Sequence, residues 1–179
     1  MTPQQAQLAG RTYIEGEFDL SSLQPLREHM AELGRSCVHK DYRNGSVIKA
    51  LWTALISFMA FKKLSYLIGC VSIPMNMSLS GNKRICSGDA AASIWRQVRD
   101  QYMVSTHYQV RPRFPLPIDC LDQTLKIDPP TLLKGYLHLG AKVLGGPAWD
   151  PHFNTADLPM LLQMKDLPNR YRKHFLGVS

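Results

Sequence analysis

Three observations predict an α/β fold for this chain. Residues 34–73 read as strand, turn, apolar helix and strand, a β-α-β unit that implies two parallel strands joined by a right-handed crossover. Asp89 to Tyr102 places Ile94, Trp95, Val98 and Tyr102 on one helical face. Two short apolar runs near the C-terminus, separated by Gly145, Gly146 and Pro147, supply further strands. Together they describe a mixed sheet flanked by helices, and 179 residues fit one domain, residues 1–179, with a core of its own.

The elements follow in order. Residues 1–16 are polar, with no clear period. After E-F-D-L-S-S-L a helix is expected to begin near Ser21 or Ser22. G-R-S-C-V-H, residues 34–39, carries β-type residues and reads as a strand. Y-R-N-G-S has turn chemistry: Asn-Gly tolerates positive φ, and Ser46 suits an N-cap. Val47 to Phe61 lacks Gly and Pro and predicts a helix buried on most of its circumference. Its 15 residues and Lys49 argue against a membrane span, which needs about 20 apolar residues; lying against a membrane surface stays open. Tyr66 to Ile73 is a buried strand that Pro74 stops, and a loop follows at 76–82. Asp89 is the expected N-cap of the next helix.

Five prolines within 111–130 mark a long connection. Pro129 and Pro130 open a helix from Thr131 to Leu139, which Gly140 ends. Ala141 to Leu144 is a short strand, and Asp157 to Met164 another, placed at a sheet edge because Pro159 lacks an N–H. Pro168 to Phe175 reads as a short basic helix.

The net charge of +7 calls for an anionic partner. The basic residues are dispersed and not interleaved with aromatics, so nucleic acid is not expected, while an acidic carrier protein or an anionic membrane surface is. Cys37, Cys70, Cys86 and Cys120 form no C-x-x-C pair, which excludes a zinc-type site and suits a reducing cytoplasm. Asp150 and His152, in W-D-P-H-F-N, supply too few ligands for zinc and read as a turn. G-x-S-x-G is absent, so a serine nucleophile lacks support.

Two constellations carry chemistry. In E-L-G-R-S-C-V, Glu32 and Arg35 lie at the entry to the first strand, on opposite faces of extended backbone. A carboxylate there can accept the proton of an attacking ammonium, directly or through water, and Arg35 can grip a substrate carboxylate. The plain alternative is a surface or helix-end pair. The loop Lys40 to Ser46 precedes the apolar helix, whose first N–H groups, with Gly45, Lys40 and Arg43, suit a phosphate; an ordinary strand-to-helix turn is the plain alternative.

These segments, E-L-G-R-S-C-V, Y-R-N-G-S-V-I-K-A-L-W and Y-L-I-G-C-V-S-I in this order, resemble the GNAT-type acyltransferases that make lyso-ornithine lipid, a group also called hemolysin-like. Y-L-H-L-G-A-K-V-L-G-G-P-A-W-D-P-H-F-N-T-A-D-L and the closing R-Y-R-K-H-F are similar to the same family, so the resemblance runs from about Glu17 to Phe175. It implies an α/β (α+β), GNAT-like acyl-CoA N-acyltransferase fold, here lacking its first strands and helices. Met1 is then an internal methionine or the start of a shortened product, and exposed sheet edges are expected.

The implied reaction joins a 3-hydroxyacyl chain, carried on acyl carrier protein, to the α-amine of ornithine. Transfer is direct, with no covalent enzyme intermediate, no bound cofactor and no metal. Glu32 is the implied general base or water holder, beside Arg35, an E-x-x-R spacing similar to that of acyl-homoserine-lactone synthases. The strand at Arg35, Ser36, Cys37 and Val38 would pair with the pantetheine arm and hold the oxyanion with its N–H groups. The loop Tyr42, Arg43, Asn44, Gly45 and Ser46 would hold the pantetheine phosphate. Typical acetyl-CoA-binding members carry R/Q-x-x-G-x-G/A at that loop, whereas this chain offers only Gly45, which favours a carrier protein over free CoA. The implied location is the cytoplasm, at the periphery of the inner membrane. The rival readings are N-acetylation of another amine with CoA, and an inactive fragment that serves as a binding module.

Overall fold

A computed structural model describes residues 1–34, 38–42, 45–76 and 87–176. The polar N-terminal stretch contains a helix, α1 (Pro3–Ala9), that the search for an apolar period passes over. Its signal is capping: Thr2 Oγ accepts from Gln5 N–H, Gln5 Oε1 accepts from Thr2 N–H, and proline stands in the first turn. A 3-10 turn at Ile14–Gly16 leads to β1 (Phe18–Asp19), and a 3-10 run spans Ser21–His29. The helix expected at Ser21 or Ser22 thus forms, but Pro25 within it denies an α-type N–H.

The first strand of the β-α-β unit is β2 (Met30–Glu32), four residues ahead of the expected start at Gly34. All three residues are buried, although Glu28, His29 and Glu32 mask the apolar pair in the sequence. Gly34, Val38 and His39 are not in a strand, and Arg35, Ser36 and Cys37 lie outside the described residues. Next come α2 (Gly45–Phe61) and β3 (Tyr66–Pro74), close to expectation, with Pro74 included in the strand. Then α3 (Asp89–Tyr102) begins one residue past its cap. Gly88, at φ 96°, is the N-cap, and the Asp89 carboxylate instead accepts from Asp122 N–H at 3.0 Å. After β4 (Arg111–Pro112) and α4 (Thr131–His138) come β5 (Lys142–Val143), β6 (Ala148–Asp150), β7 (Thr155–Gln163) and α5 (Asn169–Leu176).

Among the described residues, β1 and β4 form a small antiparallel pair, and five strands form the main sheet in the order β2-β3-β7-β5, with β6 also on β7. β2 and β3 are parallel, as the crossover requires; every other pair in the sheet is antiparallel. The sheet is therefore mixed, and helices flank it.

β7 is not the edge strand that Pro159 suggested: β3 lies on one side, β5 and β6 on the other. Backbone N–H and C=O of one strand residue point the same way. The Pro159 carbonyl accepts from Leu144 N–H at 2.9 Å, so the missing N–H also faces the β5 and β6 side. There β5 pairs with 160–161 and β6 with 155–157, leaving Pro159 at the gap between two ladders. A central strand tolerates proline because no ladder bond is due at that position.

Alternation along β3 and β7 sorts the core into two layers. Leu67, Val71 and Ile73, with Ala156, Leu158, Met160 and Leu162, pack with Ile56 and Met59 of α2, Ile94, Trp95 and Val98 of α3 and Leu133 of α4. On the other face Ile68 and Leu161 meet Ile14, Phe18, Leu23 and Met30. Each such buried Leu, Ile or Phe contributes about 1.5–3 kcal/mol. The expectation for α2 needs correction: only Ile56 and Met59 are buried, and its opposite face is apolar and exposed.

Candidate active site

The site forms where the sheet opens. β2 and β3 pair at Met30–Tyr66, Ala31–Leu67 and Glu32–Ile68, and Leu33 N–H donates to the Ile68 carbonyl at 2.8 Å. Past that bond no described strand pairs with the β2-facing edge of β3, which continues to Pro74 along β7. Gly69 marks the divergence. A Cβ there would stand 2.5 Å from the Leu33 carbonyl oxygen, so the two backbones cross more closely than any side chain permits.

On one face, strand parity brings acidic side chains together. Glu32 pairs with Ile68, Asp157 with Ser72 and Asp150 with Thr155, which directs all three carboxylates to the face that carries Cys70. Glu17 enters from above, at the end of the 3-10 turn before β1. Glu32 fixes that turn: its Oε2 accepts from Tyr13 N–H at 2.9 Å and its Oε1 from Ile14 N–H at 2.7 Å. Glu15 secures the same segment through Thr12 N–H at 2.6 Å and Oγ at 2.8 Å, and through an ion pair with Arg27.

Glu32 and Asp157 are buried, and one oxygen each of Glu17, Asp150 and Asp157 lies within 4.8 Å of the others. That convergence can hold a cation, whether a metal ion or an ammonium. Burial, and then the neighbouring charge and hydrogen bond of Asp157, with smaller effects from Asp150 and Glu32, raise the Glu17 pKa to about 7. Cys70 Sγ lies 3.9 Å from Glu17 Oε2, and burial followed by the Glu17 charge pushes its thiol well above the usual range. It stays protonated and is no nucleophile.

The other face of the opening is apolar. Leu33, Trp52, Gly69, Tyr136, Leu139 and Met160 line a small, shallow crevice there. Trp52 of α2 and Tyr136 of α4 meet edge to face there, ring centres 5.2 Å apart.

Among the expected site residues, Glu32 is the last paired residue of β2. Val38 is half-buried, Tyr42 is 61% exposed at the end of a 3-10 turn, Lys40–Tyr42, and Gly45 and Ser46 are exposed in the first turn of α2. Arg35, Ser36, Cys37, Arg43 and Asn44 lie outside the described residues. The sequence reading missed Glu17 and Asp157. Asp157 could have been noticed as an acid inside an otherwise apolar strand, T-A-D-L-P-M-L-L. Asp150 is the turn residue expected, its Oδ1 accepting from His152 N–H at 2.8 Å and Phe153 N–H at 3.2 Å, but it also joins the acidic group.

A family described as an acetyltransferase (GNAT) domain matches residues 1–53. The chain is 28% identical over 180 residues to an L-ornithine N(alpha)-acyltransferase of Rhodobacter capsulatus, covering 93% of this chain and 62% of that protein. It is 27% identical over 177 residues to that of Agrobacterium fabrum, covering 92% and 56%, and 27% identical over 182 residues to that of Brucella abortus, covering 98% and 62%. It thus spans about three fifths of these relatives' length. No solved structure matches it significantly. In sequence this chain is similar to GNAT-type acyltransferases, the L-ornithine N(alpha)-acyltransferases among them, and its mixed α/β sheet flanked by helices agrees with a GNAT-like fold.

Proposed function

We propose that the protein transfers a 3-hydroxyacyl group from an acyl carrier protein thioester to the α-amine of ornithine, giving lyso-ornithine lipid. The observation that carries the reading is the sheet opening after Leu33, with an apolar crevice on one face and an acidic group on the other. A pantetheine arm is an amide-bearing chain that needs unpaired strand edge to bond with, and among the described residues no strand pairs with the β2-facing edge of β3 past the Leu33 bond. The segment from Arg35 through Ser36 and Cys37 to Val38 would supply the N–H groups that hold the oxyanion, and Tyr42 to Ser46 would take the phosphate at the start of α2.

The acceptor is cationic, and Glu17, Asp150 and Asp157 offer it opposite charge. In the chemical step the α-ammonium first gives up a proton, and the freed amine nitrogen bonds to the thioester carbonyl carbon. The carbon–sulfur bond then breaks as the nitrogen loses its second proton, which leaves with the carrier thiol. Glu17, poised near neutrality, takes the first proton, and Glu32 acts through it by holding the turn that carries Glu17. Arg35 would orient the ornithine carboxylate. Cytoplasmic acyl carrier protein is the donor partner, with acyl-CoA as the lesser donor.

The test is direct: incubate the intact protein with 3-hydroxyacyl carrier protein and ornithine and look for the amide by mass. Product with ornithine supports the reading. Product from acetyl-CoA and a different amine, with none from ornithine, replaces it with N-acetylation, the reading that the acetyltransferase description of residues 1–53 favours.

A further inference from the structure

α2 is apolar on two sides, and the fold uses one. Ile56 and Met59 turn into the core, with Trp52 and Leu55 half-buried beside them. At roughly 100° per residue, Leu51, Ala54, Phe58 and Phe61 fall on the opposite side. Leu51 is 52% exposed, Phe58 41% and Phe61 79%, and Ile48 adds an edge at 38%. Lys49, Thr53 and Ser57 make a narrow polar stripe between the two. An outward row of large apolar side chains on one helix marks a contact surface.

The surrounding charge says what it contacts. Lys62 and Lys63 follow Phe61, with Lys62 Nζ 5.5 Å from the Phe61 ring centre. α5 packs against α2 and adds exposed Arg170 and Lys173. Neither helix contains an acidic residue. Apolar residues at the centre with cations at the margin complement an anionic lipid surface. The helix of 17 residues spans no bilayer and is suited to lie in its plane.

We infer that the outer face of α2 docks the protein on anionic membrane, with Leu51, Phe58 and Phe61 entering the headgroup boundary and Lys62, Lys63 and the basic residues of α5 meeting lipid phosphates. This goes beyond the acyl-transfer reading and is tested without donor or amine, so either can fail alone.

The experiment is co-sedimentation of the intact protein with vesicles of phosphatidylcholine alone or with phosphatidylglycerol. Binding to the anionic vesicles is expected, weakened severalfold in high salt. The triple substitution Leu51→Ser, Phe58→Ser, Phe61→Ser should lower it at least tenfold while circular dichroism keeps its helical signal and Tm falls only modestly, because the three side chains are 52%, 41% and 79% exposed in the free protein. Lys62→Gln with Lys63→Gln should lower it less and flatten the salt dependence. Equal sedimentation of wild type and triple variant overturns the proposal, as does absence of binding to anionic vesicles. A wild-type dimer that the triple variant makes monomeric, seen by light scattering, overturns it in favour of a second copy on this face.

Discussion

Glu32 and Glu17 stand on the same face of the sheet, yet their surroundings assign them different tasks. Glu32 receives two backbone N–H groups, from Tyr13 and Ile14, at 2.9 and 2.7 Å. Those donors complement a carboxylate and bind the turn that carries Glu17. Glu17 meets Asp157 and Asp150 instead, and burial among like charges raises its pKa to about 7. One acid is thus a structural hydrogen-bond acceptor, and the other is a proton store near neutral pH. The lesson is that burial alone does not define a base; the donors that come with it do.

Removing Glu32 should break the comparison most severely. Glu32→Ala leaves two N–H groups without an acceptor in a largely buried site and should cost about 2–4 kcal/mol in denaturant unfolding. Glu32→Gln keeps one acceptor oxygen and should cost roughly half as much. Equal midpoints for all three proteins would mean that the turn does not depend on this residue. Gly69→Ala probes the place where the strands part. Its Cβ would meet the Leu33 carbonyl at 2.5 Å, so a loss of about 1–3 kcal/mol is expected, with acyl transfer reduced as well.

Glu17→Gln should act in the opposite direction. The folded protein holds the Glu17 proton up to about pH 7, whereas the unfolded chain releases it near its ordinary 4.5. Native protein therefore binds more protons between these values, and stability falls as pH rises through them. The substitution removes that loss, so the variant should gain on the order of 1 kcal/mol at pH 8 relative to its advantage at pH 4, a figure reduced for the half-exposed position. A parallel stability profile for both proteins would contradict the assignment. Asp157→Asn gives the smallest effect: it deletes one of the causes of the Glu17 shift, so the Glu17 carboxyl, followed by carbon NMR, should titrate at lower pH.

The sequence and the fold agree best where local pattern decides. The helix of residues 45–61, the strand of 66–74 and the helix of 89–102 follow from apolar period and from Gly and Pro punctuation. β2 was displaced because its two apolar residues sit among charges whose burial depends on partners far along the chain. β7 was misplaced because the penalty for Pro159 depends on a gap between two neighbouring strands, which no local pattern encodes. The outward face of α2 looks like core in the sequence, since apolar residues meant for a partner and those meant for an interior are chemically alike.

The acidic group shows the same limit. Glu32 was legible from its place beside Arg35, whereas Glu17 and Asp157, 140 positions apart by their numbers (157 minus 17), meet only through tertiary packing, Asp157 set by strand register and Glu17 by the turn that Glu32 holds. Motif spacing finds residues that act near each other in the chain. Tertiary packing brings in the rest.

The division of labour between the two acids is tested most directly by the pH dependence of kcat/KM for amide formation from acyl carrier protein thioester and ornithine, in wild type and Glu17→Gln. The account predicts a limb near pH 7 in the wild type, absent from the variant, whose rate at pH 8 is lower by roughly a hundredfold. A variant that keeps both the limb and the wild-type rate would contradict it.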